Sequence, residues 1–369
     1  MRRSTVALTL CTLAGPAAAQ TPMAGRLAAI LDSAVPAALI QLGEPGIVVT
    51  LVDQCRPAWV RAWGVADSAT RAPLSDSTLF NVGSISKTFT AWTVMSLVAD
   101  GRLALDTPAD RYLRAWRLPA RPGNEPAPTI RQLLSHTAGL TQSSLSGVDH
   151  GRPVPSLADD LSGRGATPGA IEFATAPGTA FAYSGGGYSV LQLIVEDVTG
   201  RPFAEVARER VLGPLGFADG GLVWRDGTVA KLATPYHDGR AYAHRRFPSV
   251  GAAGLLASGR DMQRFLLANC VGADGRAGGG ILAATVLDTM RIAQAPATRY
   301  GLGYEVTPPL GSYAIAGHSG SNFGWKADML IIPAAGIGFV MMSNSDAGAV
   351  RRVVMRTVQQ AVSERLMRR

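Results

Sequence analysis

Ser84 and Lys87 are spaced for nucleophilic chemistry. They lie in Asn81-Val82-Gly83-Ser84-Ile85-Ser86-Lys87-Thr88-Phe89-Thr90-Ala91, which reads as a turn running straight into a helix. Residues three apart on a helix share a face, so the hydroxyl and the amine stand one turn apart. Free backbone N–H groups and the positive dipole end converge at such a helix N-terminus. A hydroxyl beside an amine in that setting is an activated-nucleophile pair. The spacing also arises by chance, with Ser84 as a simple N-cap. Two features weigh against chance. The chain has three lysines, Lys87, Lys231 and Lys326, and only Lys87 follows a serine at this spacing. It also falls in an apolar stretch, where a buried charge is costly.

Positioning such a pair takes a buried helix on a rigid frame. Gly83 permits the tight entry, Gly101 supplies the stop, and Ile85, Phe89, Trp92 and Val98 share a face at helical spacing. Upstream, the pattern predicts an amphipathic helix over 25–42, then strands over 46–52 and 58–65 joined by a turn. Residues 101–293 read mostly as helix and long loop. The stretch 141–169, rich in Ser, Gly, Pro and Asp, suits an exposed loop or lid. Strand signals return over 304–308, 312–317, 326–333 and 336–343. A last helix over 347–367 repeats Val350, Val354, Val358, Val362 and Leu366 on one face, which is expected to pack on the sheet rather than lie on a membrane.

Strands at both ends and helices between them predict an α/β (α+β) fold. It is an antiparallel sheet flanked by helices, built from both termini, with an inserted, mainly helical domain. The expected boundaries are a signal peptide over 1–19, a sheet domain over 20–83 and 294–369, and a helical domain over 84–293, with the site between the two.

With 369 residues, 47% hydrophobic and 17% charged, the chain can bury a full core. Arg2 and Arg3, the apolar run 6–14 and Ala17-Ala18-Ala19 form a secretory leader, so a periplasmic or secreted protein is expected. Leu10 before Cys11 argues against lipid attachment. No transmembrane segment is expected, since the leader is too short and no later stretch looks long enough. Removal of the leader leaves Cys55 and Cys270, whose pairing their spacing leaves open. There is no C-x-x-C and no H-E-x-x-H, so neither a metal nor a cofactor is expected. The formal charge of +8 is spread over scattered arginines with no aromatic-basic cluster, so no nucleic-acid partner is expected.

With Ser84-Ile85-Ser86-Lys87 in place, the chain resembles the serine β-lactamase and penicillin-binding protein superfamily. The resemblance is to its class C β-lactamase-related branch of D-alanyl-D-alanine carboxypeptidases, D-aminopeptidases and esterases. It extends over about 65–346 and includes Leu133-Leu134-Ser135-His136-Thr137-Ala138-Gly139-Leu140, Pro177-Gly178-Thr179, Tyr183-Ser184-Gly185, Pro214-Leu215-Gly216-Phe217, Tyr300-Gly301-Leu302-Gly303-Tyr304 and His318-Ser319-Gly320. The resemblance implies a serine hydrolase working through a Ser84 acyl-enzyme, with Lys87 or Tyr183 as base. Ser84 and Ser321 would supply the oxyanion-hole amides. His318 would stand in the catalytic third motif, with Ser319, Gly320 and Gly185 binding substrate. Gly185 replaces the asparagine of the family's Tyr-x-Asn motif, and His318 replaces the lysine of Lys-Thr-Gly. Both departures weaken amide and carboxylate recognition. The implied substrate is a small molecule or peptide: an ester, a D-amino-acid peptide or a β-lactam. A class C-like β-lactamase is the alternative within the class. A penicillin-binding sensor or inactive binding module is the alternative outside it. His136, Asp261 and Asn344 read as structural, and His150, His237 and His244 as surface.

Overall fold

The computed structural model describes residues 21–121, 123, 125–270, 278–294 and 299–367. The expected leader over 1–19 lies outside the described residues. Helix α1 (Pro22–Leu42) opens on Thr21, whose side chain accepts the Ala24 N–H, and closes on Gly43 in the left-handed conformation. Strands β1 (Gly46–Asp53) and β2 (Arg56–Gly64) form the expected hairpin around Gln54 and Cys55.

Four later strands complete the sheet: β3 (Glu305–Leu310), β4 (Tyr313–Asn322), β5 (Trp325–Ile332) and β6 (Ile337–Ser343). The spatial order is β3-β4-β5-β6-β1-β2, antiparallel throughout, so β6 joins the C-terminal strands to the N-terminal hairpin through pairs such as Thr50↔Val340. All eight residues of β1 are buried, because both faces of the sheet are covered. On one face, Val49, Leu51, Phe339 and Met341 pack with α1 and with Val350, Val354 and Val358 of the last helix, α5 (Ala349–Met367). That helix therefore buries its valine stripe in the core, as expected.

The other face carries Val48, Val340 and Met342. It meets helix α4 (Gly259–Ala268) and, beyond it, the nucleophile helix α2 (Ser86–Ala99). Asp261 completes a capping box with Ser258 and accepts N–H groups from Ala218 and Gly220. The Asn344 amide donates to the carbonyls of Val65, Ala66 and Thr234. Both residues tie loops together.

Three expectations need correction. Helix α2 is buried on every side from Ser86 to Leu97, while Val98 is only half-buried, so no single apolar stripe describes it. The strand expected over 312–317 runs on to Asn322: β3 covers β4 from Tyr313 to Gly317, and the continuation from His318 to Asn322 runs beyond that pairing. Finally, α1 is long and apolar enough to cross a membrane by length and composition. Its Leu27, Leu31 and Val35 are buried against α5 and the sheet, which makes it a core helix. Cys55 and Cys270 meet: burial, then the hydrogen bond with Cys55, holds the Cys270 thiol far above its usual range.

Candidate active site

Ser84 sits in a single 3₁₀ turn, Gly83–Ile85, immediately before α2. The Ser86 hydroxyl holds this turn by donating to the Gly83 carbonyl at 2.6 Å and accepting the Leu255 N–H at 3.0 Å. One turn on, Lys87 Nζ lies 3.0 Å from Ser84 Oγ and donates to the Ala252 carbonyl at 2.9 Å. The lysine is 2% exposed, and no carboxylate faces it among its polar contacts. Burial alone pulls its pKa down to about 7. At neutral pH a substantial share of the population is therefore neutral, with a lone pair available to the hydroxyl.

Tyr183 closes the group. It precedes helix α3 (Gly185–Thr199), and its phenol hydrogen-bonds with the Ser84 side chain. Lys87 Nζ stands 5.2 Å from the centre of its ring. Burial, outweighing that hydrogen bond, holds the phenol above its usual range, so it is a neutral phenol rather than a phenolate. His136 packs against the Tyr183 ring at 4.2 Å and accepts the Ser184 N–H at Nδ1 (3.1 Å). Burial, then the nearby Lys87 charge, drives its pKa well below the usual imidazole value. His136 thus orients Tyr183 as a neutral ring.

His318 is buried, and both its nitrogens are occupied. Nδ1 lies 2.6 Å from the Ser319 carbonyl and Nε2 lies 2.7 Å from the Tyr300 hydroxyl. This suits a neutral ring that donates at Nδ1 and accepts at Nε2. Burial lowers its pKa to about 4, which favours the neutral ring near pH 7. The Ser319 hydroxyl is engaged as well, donating to Glu305 at 2.8 Å.

Two glycines let β4 close on the turn. A Cβ on Gly320 would fall 2.0 Å from the Val82 carbonyl oxygen and 3.3 Å from Ser84 N; one on Gly83 would fall 2.6 Å from Ser321 N. The amides of Ser84 and Ser321 therefore flank one glycine–glycine contact. Asn81 and Asn322 secure it: Asn81 Oδ1 accepts Gly83 N at 2.9 Å and Asn322 Nδ2 at 2.6 Å, and both side chains donate to the Ala253 carbonyl.

Ser84 and Lys87 open into a cavity of about 310 Å³ whose walls include Leu145, Phe247, Phe323 and Arg245. The guanidinium of Arg245 lies over the Phe323 ring at 4.7 Å. Part of the stretch expected to be a loop or lid, Ser143 to Gly147, lines this cavity. Gly185 stands behind Leu145: a Cβ there would lie 3.0 Å from Leu145 Cγ. His237, expected at the surface, lines the same cavity and pairs with Asp346 at 2.7 Å, which raises its pKa.

The sequence reading passed over Tyr300, Glu305, Asn322 and Leu145. Tyr300 and Asn322 carried a usable signal, since each lies in or beside a quoted motif. Leu145 carried none, because nothing in a Ser- and Gly-rich loop says which residue turns inward.

The Beta-lactamase family model matches residues 31–364. Esterase EstB of Burkholderia gladioli is 32% identical over 347 residues, covering 85% of this chain and 82% of that protein. A D-aminopeptidase of Gluconobacter oxydans is 27% identical over 335 residues, covering 89% of this chain but 61% of the relative's own length. Among solved structures, a penicillin-binding protein homologue from Pyrococcus abyssi superposes with a TM-score of 0.75 at 24% identity, over 92% of this chain and 77% of that one. The D-alanine carboxypeptidase AmpC from Burkholderia cenocepacia gives 0.72 at 21% identity, over 92% and 99%.

Proposed function

We propose that this chain, which belongs to the Beta-lactamase family and is a serine hydrolase, cleaves small esters through an acyl-enzyme on Ser84. The observation that carries the reading is the 3.0 Å contact between Ser84 Oγ and a lysine amine that burial has brought close to neutrality. Neutral Lys87 takes the Ser84 proton as the oxygen attacks the substrate carbonyl. The amides of Ser84 and Ser321 hold the developing oxyanion. Tyr183 gives its proton to the departing alcohol and is reprotonated by the Lys87 ammonium, so the proton taken from Ser84 leaves with the alcohol and both groups return to their starting state. Water then attacks the acyl-enzyme with the same groups working in reverse.

Three features favour an ester over an amide. Gly185 offers no side chain to hold a substrate amide, and Leu145 stands where such a side chain would lie. Neither His318 nitrogen remains for a substrate carboxylate. Alcohols also need less help in leaving than amines. The likeness to EstB points the same way. D-peptide cleavage is the second reading, supported by the D-aminopeptidase relatives.

The expected export of the protein remains part of this proposal and is checked by the N-terminus of the mature chain. The test of activity is a panel of p-nitrophenyl butyrate, a D-alanyl-D-alanine peptide and a cephalosporin. Many turnovers of the ester, with little release from the other two, support the proposal. Faster release of D-alanine makes the protein a peptidase. A single stoichiometric adduct without turnover makes it a sensor.

A further inference from the structure

Resting on the ester-cleaving reading, we infer that Glu305 is a charge filter on the leaving-group side of the cleft, which admits neutral or cationic leaving groups and turns away carboxylates. Pairing between β3 and β4 begins at Glu305↔Gly317, so β4 continues past Gly317 without β3 beside it. The Glu305 carboxylate reaches over that continuation. Its Oε1 accepts the Ser319 N–H at 3.2 Å and the Ser319 hydroxyl at 2.8 Å. Alternate residues of a strand point their N–H groups to the same edge, so Ser319 and Ser321 share it. Two residues of strand put the carboxylate about 7 Å from the Ser321 amide.

The same carboxylate stands 3.6 Å from His318 Nδ1, and its charge is felt at Tyr183. The His318 ring faces that of Tyr183 at 6.4 Å between centres, so the carboxylate lies toward Tyr183, the proposed proton donor to the departing alcohol, and outside the cavity walled by Leu145 and Phe247. The Arg351 guanidinium feels the Glu305 charge but is committed elsewhere. His318 is buried with both nitrogens engaged. Arg351 pairs through Nε and Nη2 with Asp328. Lys326 donates to the Ser321 hydroxyl at 2.8 Å, two strand positions away from Ser319. The Ser319 hydroxyl, two strand positions from the Ser321 amide, is already occupied by the protein's own carboxylate. A second carboxylate at that distance meets repulsion worth on the order of tenfold or more in kcat/KM.

The test uses the full chain and two aryl acetates, 4-acetoxybenzamide (neutral) and 4-acetoxybenzoate (anionic). The readout is the neutral-to-anionic ratio of kcat/KM, in which a general loss of activity cancels. Glu305→Gln should lower that ratio at least fivefold, Glu305→Lys should lower it further, and Glu305→Asp, which keeps the charge, should hold it near the wild-type value. High salt should narrow the difference between wild type and Glu305→Gln. A ratio within twofold of wild type in both Glu305→Gln and Glu305→Lys overturns the inference alone. Wild-type protein that turns over neither ester overturns the esterase reading and this inference together.

Discussion

Leu145 occupies the space that any side chain at position 185 would need, with Leu145 Cγ 3.0 Å and Cδ1 3.2 Å from the Cβ of such a residue. The missing side chain of the Tyr-x-Asn motif and the inward leucine are thus two halves of one arrangement. On the ester-cleaving reading, this leucine is an apolar wall for the acyl group where an amide-binding side chain would otherwise stand. Gly185→Asn should overpack this wall, costing about 1–3 kcal/mol in stability and at least tenfold in kcat/KM for a butyrate ester. Leu145→Ala in the same chain should restore the stability. Denaturant unfolding of the single and double variants checks this, and an additive loss would contradict the pairing.

Lys87 sets the pH profile. Its amine gains base character as pH rises through about 7, so kcat/KM for a p-nitrophenyl ester should climb through that value and level off above it. Lys87→Arg should be inactive at every pH, because a guanidinium stays charged throughout the working range. A profile flat from pH 5.5 to 9, after subtraction of background hydrolysis, would remove Lys87 as the base.

The same burial leaves a stability signature. The folded chain releases the Lys87 proton near pH 7, whereas an unfolded chain keeps it to about 10.5. Between those values the unfolded state binds the extra proton, so the contribution of Lys87 to stability rises with pH. Lys87→Met, which does not titrate, should therefore gain most over wild type near pH 6. That gain should shrink by on the order of 4 kcal/mol by pH 10. Urea unfolding at the two pH values measures it, and a pH-independent difference would mean that the amine titrates normally in the fold.

Tyr183 should matter in proportion to the help the leaving group needs. Tyr183→Phe should lose about tenfold on a p-nitrophenyl ester, whose leaving group departs readily. On an ethyl ester of the same acid it should lose a hundredfold or more. Equal losses on both esters would assign the phenol a role other than protonating the leaving group.

The legible parts of this molecule are those with short-range rules. The four C-terminal strand signals and the hairpin showed in the sequence because apolar runs there alternate with Gly and Pro. The valine stripe of α5 showed because its spacing is regular. Ser84, Lys87 and Tyr183 were legible from the motif order. The engagement of His318 was not, since it depends on Tyr300, eighteen positions away, reaching its ring. The all-round burial of α2 was hidden as well, because serines and threonines along it donate to backbone carbonyls, such as Thr88 to Gly303 and Thr90 to Gly251, and so pass for a polar face. Glu305 carried no signal inside the expected strand 304–308, because its partner, the Ser319 amide, arrives only when β4 runs on past β3.

The reactivity of the Ser84 hydroxyl is tested most directly by stopping turnover of a butyrate ester with acid and weighing the protein and its peptides. Wild-type enzyme should carry one butyryl group, on the peptide containing Ser84, while Ser84→Ala carries none and turns over nothing although it remains folded. A butyryl group on any other residue, or turnover that survives in Ser84→Ala, would contradict the account.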